Sequence, residues 1–314
     1  HTGKEYMIRG GMLDGVDCAV MIHPFSYDLV SHVWVGRRTL TATFTGVPAH
    51  ASMQPYMGRN ALDAATLAYQ ACGLLRQQMP PSDRLHAVLS DGGARASIIP
   101  ETATLQMYVR SLYTETLMDL SQRVEDILKG AALMTGTTVD AQWDEHPMSL
   151  PVRNNATLAR RWGATQASRG RDVLPAGTLP DSQAASTDFG NVSHLVPGIH
   201  PLVKIAPEGT ALHTTDFAAA AISDQAFEGA FDAAVGLAQT IADILNDPQL
   251  LADAQEEFRL AGGAISVEKL LAGAAEHVLV EPVHKGAVVG EVAEAGAELG
   301  RGQEAGRQRR ERLA

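Results

Sequence analysis

Two histidines stand where the sequence could place a metal ion. His23 ends the apolar run VDCAVMIH, and His213 lies in the loop PEGTALHTTDF, so each falls where a predicted strand meets a loop. Neutral imidazole nitrogens that converge from distant parts of a chain suit a zinc-type ion. A structural or catalytic zinc needs three or four protein ligands. The pair alone therefore leaves two interpretations open: metal ligands, or ordinary core and loop histidines.

Few carboxylates could complete such a site. Asp188, in STDFGNVSH, and Asp216, in HTTDF, are candidates, but Asp216 better suits the first turn of a helix, where the helix dipole favours a carboxylate. Glu256 and Glu257 are the only adjacent glutamates. Their polar surroundings, QEEFR, indicate a solvated helix face rather than a site.

Three further residues could bind or activate a substrate. His50 lies in TFTGVPAHASMQPYMGRNALDAA, between a strand-like run and an amphipathic helix, and serves either packing or a reaction outside its own domain. Asn60 is a good N-cap for that helix. Arg110 ends a predicted strand in YVRS, where its guanidinium could clamp a carboxylate bidentately or could be an exposed charge without a function.

The composition restricts the classes of protein that remain. The 314 residues are 45% hydrophobic but contain no apolar run near membrane-spanning length, which argues against a membrane partner. A net charge of −11 argues against nucleic acid. Cys18 and Cys72 lie in apolar surroundings and are interpreted as reduced residues of a cytoplasmic protein. The absence of P-loop, GxGxxG, GxSxG and CxxC motifs argues against nucleotide, nicotinamide and serine-hydrolase chemistry.

Strand and helix patterns predict an α/β protein with an inserted domain. Residues 16–23 form an apolar run that suits a strand of a parallel sheet and stops at Pro24; His23 would lie at its carboxyl end, where open α/β sheets build ligand sites. A different order then follows, strand–helix–strand–strand–helix–strand, which is typical of a ferredoxin-like α+β sandwich. Its strands are predicted at 34–45, 84–90, 99–111 and 137–143, and its helices at 60–79 and 114–130.

The α/β pattern returns after Pro147, with predicted helices at 154–168 and 224–246 and an apolar stretch near 199–205. We therefore predict four parts. They are a first segment of the larger domain at 1–33, the inserted domain at 34–147, a second segment of the larger domain at 148–260, and a tail at 261–314. The tail mixes Gly, Ala, Glu and Arg without periodicity, so it is interpreted as disordered or aberrant.

Five motifs in this order resemble a known family: GMLDGVDCAVMIHP, FTGVPAHASMQPYMGRNALDAA, DGGARASIIPETATLQMYVRS, STDFGNVSHLVPGIHP and APEGTALHTTDF. Together they are similar to the two-metal aminoacylase, carboxypeptidase and dipeptidase family of metallopeptidases. Within it they most resemble the amidohydrolase branch of p-aminobenzoyl-glutamate hydrolase and β-alanyl-lysine-type dipeptidases. The resemblance spans about residues 3–260. It implies a zinc-peptidase-like three-layer α/β catalytic domain with an inserted ferredoxin-like lid that also dimerises.

The resemblance also implies a role for each candidate residue. His23 and His213 would each ligate one of two divalent metal ions, zinc in the first place, with manganese or cobalt as alternatives. His50 would reach across a homodimer and polarise the scissile carbonyl group in the partner's site. Asn60 and Arg110 would contact the substrate, a small dipeptide or N-acyl amino acid.

The sequence departs from the family in two places. The upstream half of the catalytic domain, with its His-x-Asp motif, bridging aspartate and adjacent glutamates, is not found. We therefore expect an N-terminally truncated chain that binds metal poorly and is inactive as a fragment. Ser97 stands where many relatives have asparagine before the IIP turn.

The predicted function is that of a cytoplasmic, metal-dependent amidohydrolase or dipeptidase that acts through a metal-activated water. Two alternatives stay open. One is a non-catalytic dimerisation or small-molecule-binding protein that kept the lid and lost the site, and the other is a ferredoxin-like small-molecule sensor.

Overall fold

The computed structural model describes residues 2–277. The chain divides into two compact units, residues 1–270 and 271–314, and only 271–277 of the second is described. The strands are β1 Ala19–Val20, β2 His23–Phe25, β3 Gly36–Thr45, β4 Ala49–His50, β5 Arg84–Asp91, β6 Ile98–Ile99, β7 Thr102–Ser111, β8 Thr138–Trp143, β9 Gly198–Ile199 and β10 Leu202–Lys204. The helices are α1 Gly3–Arg9, α2 Ala61–Leu75, α3 Thr114–Thr135, α4 Ala156–Ser168, α5 Phe189–Ser193, α6 Thr215–Ala220, α7 Asp224–Asn246, α8 Pro248–Leu260 and α9 Val267–His277.

The ferredoxin-like arrangement predicted from the sequence is confirmed. Its four strands form one antiparallel sheet in the order β5-β7-β3-β8, with α2 after β3 and α3 after β7. The two central strands, β3 and β7, pair over ten residues, and β8 pairs with six residues of β3. We call residues 34–147 the inserted domain, and its exact boundaries stay a prediction.

Alternation along the strands gives this sheet one buried face. Leu40, Ala42 and Phe44 of β3 are at most 2% exposed, while the residues between them are half-buried. This is the period-two pattern of a strand with one face on a core. The buried face packs against α2 and α3, whose Leu117 is 0% exposed. Helix α3 ends at Gly136, which has the left-handed φ of 67° common after the last helical turn.

Two short parallel pairs form the strands outside the inserted domain. β1 pairs with β9 and β2 pairs with β10, so that Val20 lies opposite Ile199 and His23 opposite Leu202. The predicted single strand at 16–23 is therefore wrong in detail: two strands form, and β2 continues through Pro24 to Phe25. Proline is tolerated there because the ladder uses the amide of His23 and the carbonyl of Phe25, so no bond needs a Pro24 N–H.

The apolar stripes that helical spacing predicts match the buried face in α2 but not in α7. The α2 stripe is buried at Ala65, Cys72 and Leu75, whereas Tyr69 of the same stripe is 47% exposed. In α7 the helical spacing of Phe227, Phe231, Ile241 and Leu245 predicts a buried apolar face, but that face is the exposed one, with Phe227 at 76% and Leu245 at 77%. Small side chains let two helices approach closely, so the small residues of α7 are buried and its large apolar residues are not.

Several sequence predictions concern residues near or beyond the end of the described part. Helix α9 lies inside the predicted tail, and residues 278–314 lie outside the described residues.

Cys18 and Cys72 are free thiols, as predicted. Within residues 2–277, no helix is both long enough and apolar enough to cross a membrane.

Candidate functional site

His50 is exposed on the short hairpin that β4 forms with β6. Its Nδ1 atom accepts hydrogen bonds from the backbone N–H groups of Ser52 and Met53, both at 3.3 Å, and lies 3.2 Å from the Ser52 hydroxyl. Because Nδ1 accepts, a neutral ring carries its proton on Nε2. The loop therefore leaves His50 with one N–H donor for a group outside its own hairpin.

Asn60 begins α2 as its N-cap, as predicted. Its Oδ1 accepts from the Leu62 N–H at 3.0 Å, and its Nδ2 donates to Asp63 at 2.9 Å. Asn60 also lines an open cavity of about 420 Å³ next to the His50 hairpin, together with Ala51 and Arg95. The side chain is thus committed to the helix start while bordering a space large enough for a small ligand.

His23 lies half-buried at the start of β2, and its ring is oriented by its own backbone. Its Nδ1–H donates to the carbonyl oxygen of Pro24 at 2.8 Å. That bond selects the tautomer whose Nε2 lone pair is free, the arrangement in which metal-binding histidines are commonly found. The ring packs against Trp34, with centroids 5.3 Å apart.

His200 is a neighbour of His23 that the sequence analysis did not select. Its ring is 0% exposed, lies 5.8 Å from the His23 ring between centroids, and packs on Trp34 and Phe189. Neither ring nitrogen has a hydrogen-bond partner. Burial first, and then the charge of His23, lowers the pKa of His200 to about 3, which makes it a neutral side chain. The sequence contains a signal for it, because both histidines occur in the tripeptide Ile-His-Pro.

His213 is exposed and has a left-handed backbone, with φ of 61°. This conformation is uncommon outside glycine and often marks a functional loop. It directly precedes α6, where the Thr214 hydroxyl caps the Phe217 N–H at 3.2 Å and Asp216 lies in the first turn. Within residues 2–277, His213 makes no hydrogen bond, ion pair or ring contact.

Arg110 lies near the end of β7, on the face of the sheet opposite α2 and α3. It stands directly opposite Arg37 of β3 on one side and Arg84 of β5 on the other. Its guanidinium lies over the ring of Tyr108, 5.5 Å from the centroid.

The other carboxylates considered have structural partners. Asp188 accepts from the backbone N–H and the ammonium group of Lys4. Glu256 is exposed and pairs with Arg259, as a solvated face predicts. For Glu257 that prediction is wrong, because its carboxylate accepts from the Thr157 N–H at 2.9 Å and so caps the start of α4.

The structure brings His23 and His200 together, and it shows no contact between His23 and His213. Among residues 2–277, no group of three or more His, Cys, Asp and Glu side chains could hold a metal ion. The assignment of His23 and His213 as ligands, of His50 as a catalytic group, and of Asn60 and Arg110 as substrate contacts stays a prediction.

Known proteins similar to this chain fall in one group. Residues 35–134 match the family model of the peptidase dimerisation domain. The Xaa-Arg dipeptidase of Mus musculus is 35% identical over 257 residues, which cover 82% of this chain and 59% of that protein. One of the subunits of p-aminobenzoyl-glutamate hydrolase from Escherichia coli (strain K12) is 26% identical over 310 residues, covering 82% of this chain and 64% of that protein.

A solved structure agrees with the fold. The aminobenzoyl-glutamate utilization protein from Klebsiella pneumoniae superposes with a TM-score of 0.55 over 77% of this chain and 57% of that chain, at 22% identity. At this identity the likeness concerns the fold alone. The chain spans about three fifths of the length of the curated relatives it matches. Residues 35–134 thus belong to the family of M20 peptidase dimerisation domains, and 82% of the chain is homologous to a dipeptidase and to a subunit of an amidohydrolase.

Proposed function

We propose that this chain is part of a metal-dependent hydrolase that cleaves an amide bond in a dipeptide or a small N-acyl amino acid. The observation that carries the proposal is the 35% identity to a dipeptidase over 257 residues, which extends well beyond the dimerisation domain at 35–134. The names of the relatives include both arginine and glutamate as the amino acid concerned. They therefore support the class of reaction without selecting a substrate.

The described residues supply some, but not all, of the ligands that a divalent metal ion needs. His23 has a free Nε2 lone pair in an oriented ring, and His213 is exposed in a loop with a constrained backbone. We propose these two as ligands, with zinc as the first choice and manganese or cobalt as alternatives. Such an ion, when bound, lowers the pKa of a coordinated water toward neutrality. Because residues 2–277 supply no group of three ligands, further ligands would have to come from elsewhere.

His50 is proposed as the donor that stabilises negative charge on the carbonyl oxygen during hydrolysis. Its Nδ1 is held by Ser52 and Met53, so Nε2–H is available to an acceptor beyond the hairpin. A donor aimed at the developing oxyanion typically contributes ~3 kcal/mol. We propose that it acts in the site of a second copy of the chain, joined through the dimerisation domain, which makes the active unit a homodimer.

Asn60 and Arg110 are proposed to contact the substrate, each on a different observation. Asn60 borders the cavity beside the His50 hairpin but already bonds the Leu62 N–H and Asp63. Arg110 has a guanidinium that pairs with no carboxylate among the described residues. A cytoplasmic location stays a prediction, supported by the two free cysteines.

The proposal is tested with the chain as it stands and with a form extended by the coding sequence that precedes it. Hydrolysis of dipeptides and N-acyl amino acids is measured with zinc, manganese or cobalt and after chelation. We expect metal-dependent hydrolysis by the extended form and little by the shorter one. Absence of hydrolysis by the extended form with every metal would contradict the proposal.

The action of His50 across the dimer has its own test. In the extended form, His50→Ala and His23→Ala should each abolish hydrolysis, yet mixing the two variants should restore about a quarter of the activity, since half the dimers are mixed and each mixed dimer has one intact site. No recovery after subunit exchange would show that His50 acts within its own chain or not at all.

One observation favours a second candidate, a dimerisation or small-molecule-binding protein without catalysis. It is the absence of a three-ligand group among residues 2–277. This candidate predicts a stable dimer whose ligand binding is unchanged by metal removal and by His23→Ala.

A further inference from the structure

His200 is a buried imidazole ring whose nitrogens are unpaired. The residue is 0% exposed, and neither ring nitrogen has a hydrogen-bond partner among residues 2–277. The Met21 carbonyl group lies near the ring but outside hydrogen-bond geometry. Buried polar side chains in folded proteins nearly always have a partner, so an unpaired one calls for a bound water, an ion or a functional role.

The unpaired atoms near His200 form a group around Trp34. The His200 ring packs on the Trp34 ring with centroids 4.6 Å apart, and the His32 ring packs on it at 6.4 Å. Trp34 Nε1 and His32 Nε2 are also buried without a partner. These three rings account for four of the twelve such side-chain atoms among the described residues, so the unpaired polar groups concentrate at this place in the core.

The placement of His200 relative to His23 suits a shared ion. The two rings stand edge to face, with centroids 5.8 Å apart and planes at 68°. With metal–nitrogen bonds of ~2 Å, two imidazoles on one zinc ion have centroids about 5–6 Å apart. His23 keeps its Nε2 lone pair free because its Nδ1–H donates to the Pro24 carbonyl. His200 is held in place by Phe189, whose ring stacks on it at 5.3 Å.

The charged side chains near His200 are compatible with a cation. Lys4 and Asp188 both interact electrostatically with the His200 ring. The Lys4 ammonium group, however, forms an ion pair with the Asp188 carboxylate. Because these two charges offset each other, a divalent cation beside His200 meets no uncompensated positive charge from this pair.

We propose that His200 is a second imidazole ligand of the divalent ion assigned above to His23. The inference rests on the proposed function, because it concerns the same metal site, and it adds a ligand that the resemblance to the family does not imply. Neutral imidazole suits zinc, whereas oxygen ligands suit manganese. The pair therefore selects zinc among the ions considered above. Further ligands still have to come from elsewhere, since residues 2–277 contain no group of three.

The histidine rings of the full chain report zinc binding residue by residue. Long-range ¹H–¹⁵N NMR spectra are recorded while zinc sulfate is added. We expect one ring nitrogen of His23 and one of His200 to shift together and to saturate at the same zinc concentration. Exposed histidines such as His86 should shift only at higher concentrations. Zinc that shifts His23 but not His200, or that shifts neither, would overturn the inference.

His200→Phe keeps a flat buried ring and removes both nitrogens. In competition with a chromophoric chelator, we expect the zinc dissociation constant to rise at least about tenfold. The matched control is His32→Phe, because His32 is also buried against Trp34 but has no ring contact with His23 among the described residues. Its affinity should stay within about twofold of that of the unaltered chain, since it does not touch the ion.

An equal loss of affinity in the two variants would overturn the inference. Thermal melting shows whether each variant is folded. If His200→Phe does not fold, the spectra of the unaltered chain decide the question.

The result can be separated from that of the proposed function. If the extended form hydrolyses its substrates with zinc while the His200 nitrogens do not respond to zinc, the function stands and the inference fails. If zinc binds His23 and His200 together but no form hydrolyses any dipeptide or N-acyl amino acid, the inference stands and the function fails.

Discussion

In the inserted domain, β3 and β7 pair over ten residues, whereas the parallel pairs of the flanking segments, residues 2–33 and 148–277, extend over two and three residues. Burial of large side chains does not follow this division. Phe44 of the inserted domain and Trp162 of α4 are both 0% exposed, whereas Leu133 of α3 is 83% exposed and Phe227 of α7 is 76% exposed. The inserted domain thus closes its own core around a long strand ladder within about 110 residues, whereas the flanking segments have a core joined by short strand pairs.

Helix α7 shows how the flanking segments are packed. Its buried face consists of small residues, among them Gly229, Ala233 and Gly236. A Cβ on Gly236 would lie 2.0 Å from the Gln166 side-chain nitrogen and would displace the amide that donates to the Asp232 carbonyl. The contact between α4 and α7 combines close approach of the two helices with burial of the Trp162 ring, which is 0% exposed. Because strand pairing is much longer in the inserted domain, we expect stability to be concentrated there.

The largest expected effect contrasts two phenylalanines. Phe44→Ala removes a fully buried ring and should lower the free energy of unfolding by ~3–5 kcal/mol. Phe227→Ala removes an exposed ring and should change it by less than ~0.5 kcal/mol. Urea denaturation followed by circular dichroism measures both. A larger loss at Phe227 would show that α7 has a buried face not seen in this structure.

A second comparison uses the N-cap of one helix from each region. Asn155 caps α4 at the Leu158 N–H, and its Nδ2 donates to the Ala254 carbonyl, so Asn155→Ala removes the cap together with a second buried hydrogen bond between α4 and α8. We expect a loss of ~2–3 kcal/mol there and ~1 kcal/mol for Asn60→Ala, whose cap is half-buried. The same denaturation measurement tests it, and equal losses would contradict the buried role of Asn155.

The third prediction concerns pH and the flanking segments. Burial, reinforced by the charge of Arg153, lowers the pKa of His194 to about 4, although its Nε2–H donates to the Pro151 carbonyl. Between pH 6.5 and 4 the unfolded chain takes up a proton at this residue and the folded chain does not. His194 alone should therefore lower the free energy of unfolding by ~1.4 kcal/mol per pH unit as the pH decreases through this window.

His194→Gln keeps an N–H donor and should remove this histidine's share of the pH dependence. The buried His200, with its pKa lowered to about 3, contributes with the same sign and keeps part of the slope. His86→Gln, at an exposed position of β5, is the control and should leave the slope unchanged. A slope unaltered in His194→Gln would mean that His194 is protonated in the folded chain.

The sequence predicts the inserted domain better than its surroundings for a physical reason. Successive residues of β3 and β7 point alternately to the buried and the open face of the sheet, so a period-two pattern in the sequence predicts both strands. The N-cap Asn60 predicts the start of α2. In α7, hydrophobicity does not determine which face is buried. Mostly small residues pack against the neighbouring elements, and the face with large residues is therefore assigned to the wrong side.

The sequence predicts residues of the candidate site only where the pattern that marks them is local. The hairpin position of His50 and the strand end at His23 follow from local patterns. The cap that Glu257 forms on Thr157 joins residues 100 positions apart, and the alignment of Arg110 with Arg37 and Arg84 depends on strand register, so neither is visible in any short window. The burial of His200 depends on Trp34 and Phe189, which come from two other parts of the chain.

Sedimentation equilibrium of residues 34–147 alone, with thermal unfolding followed by circular dichroism, tests the central claim that the inserted domain is a complete folding and dimerising unit. We predict one cooperative unfolding transition and a mass of two copies. A fragment that is monomeric at every concentration, or that unfolds without a cooperative transition, would contradict this account.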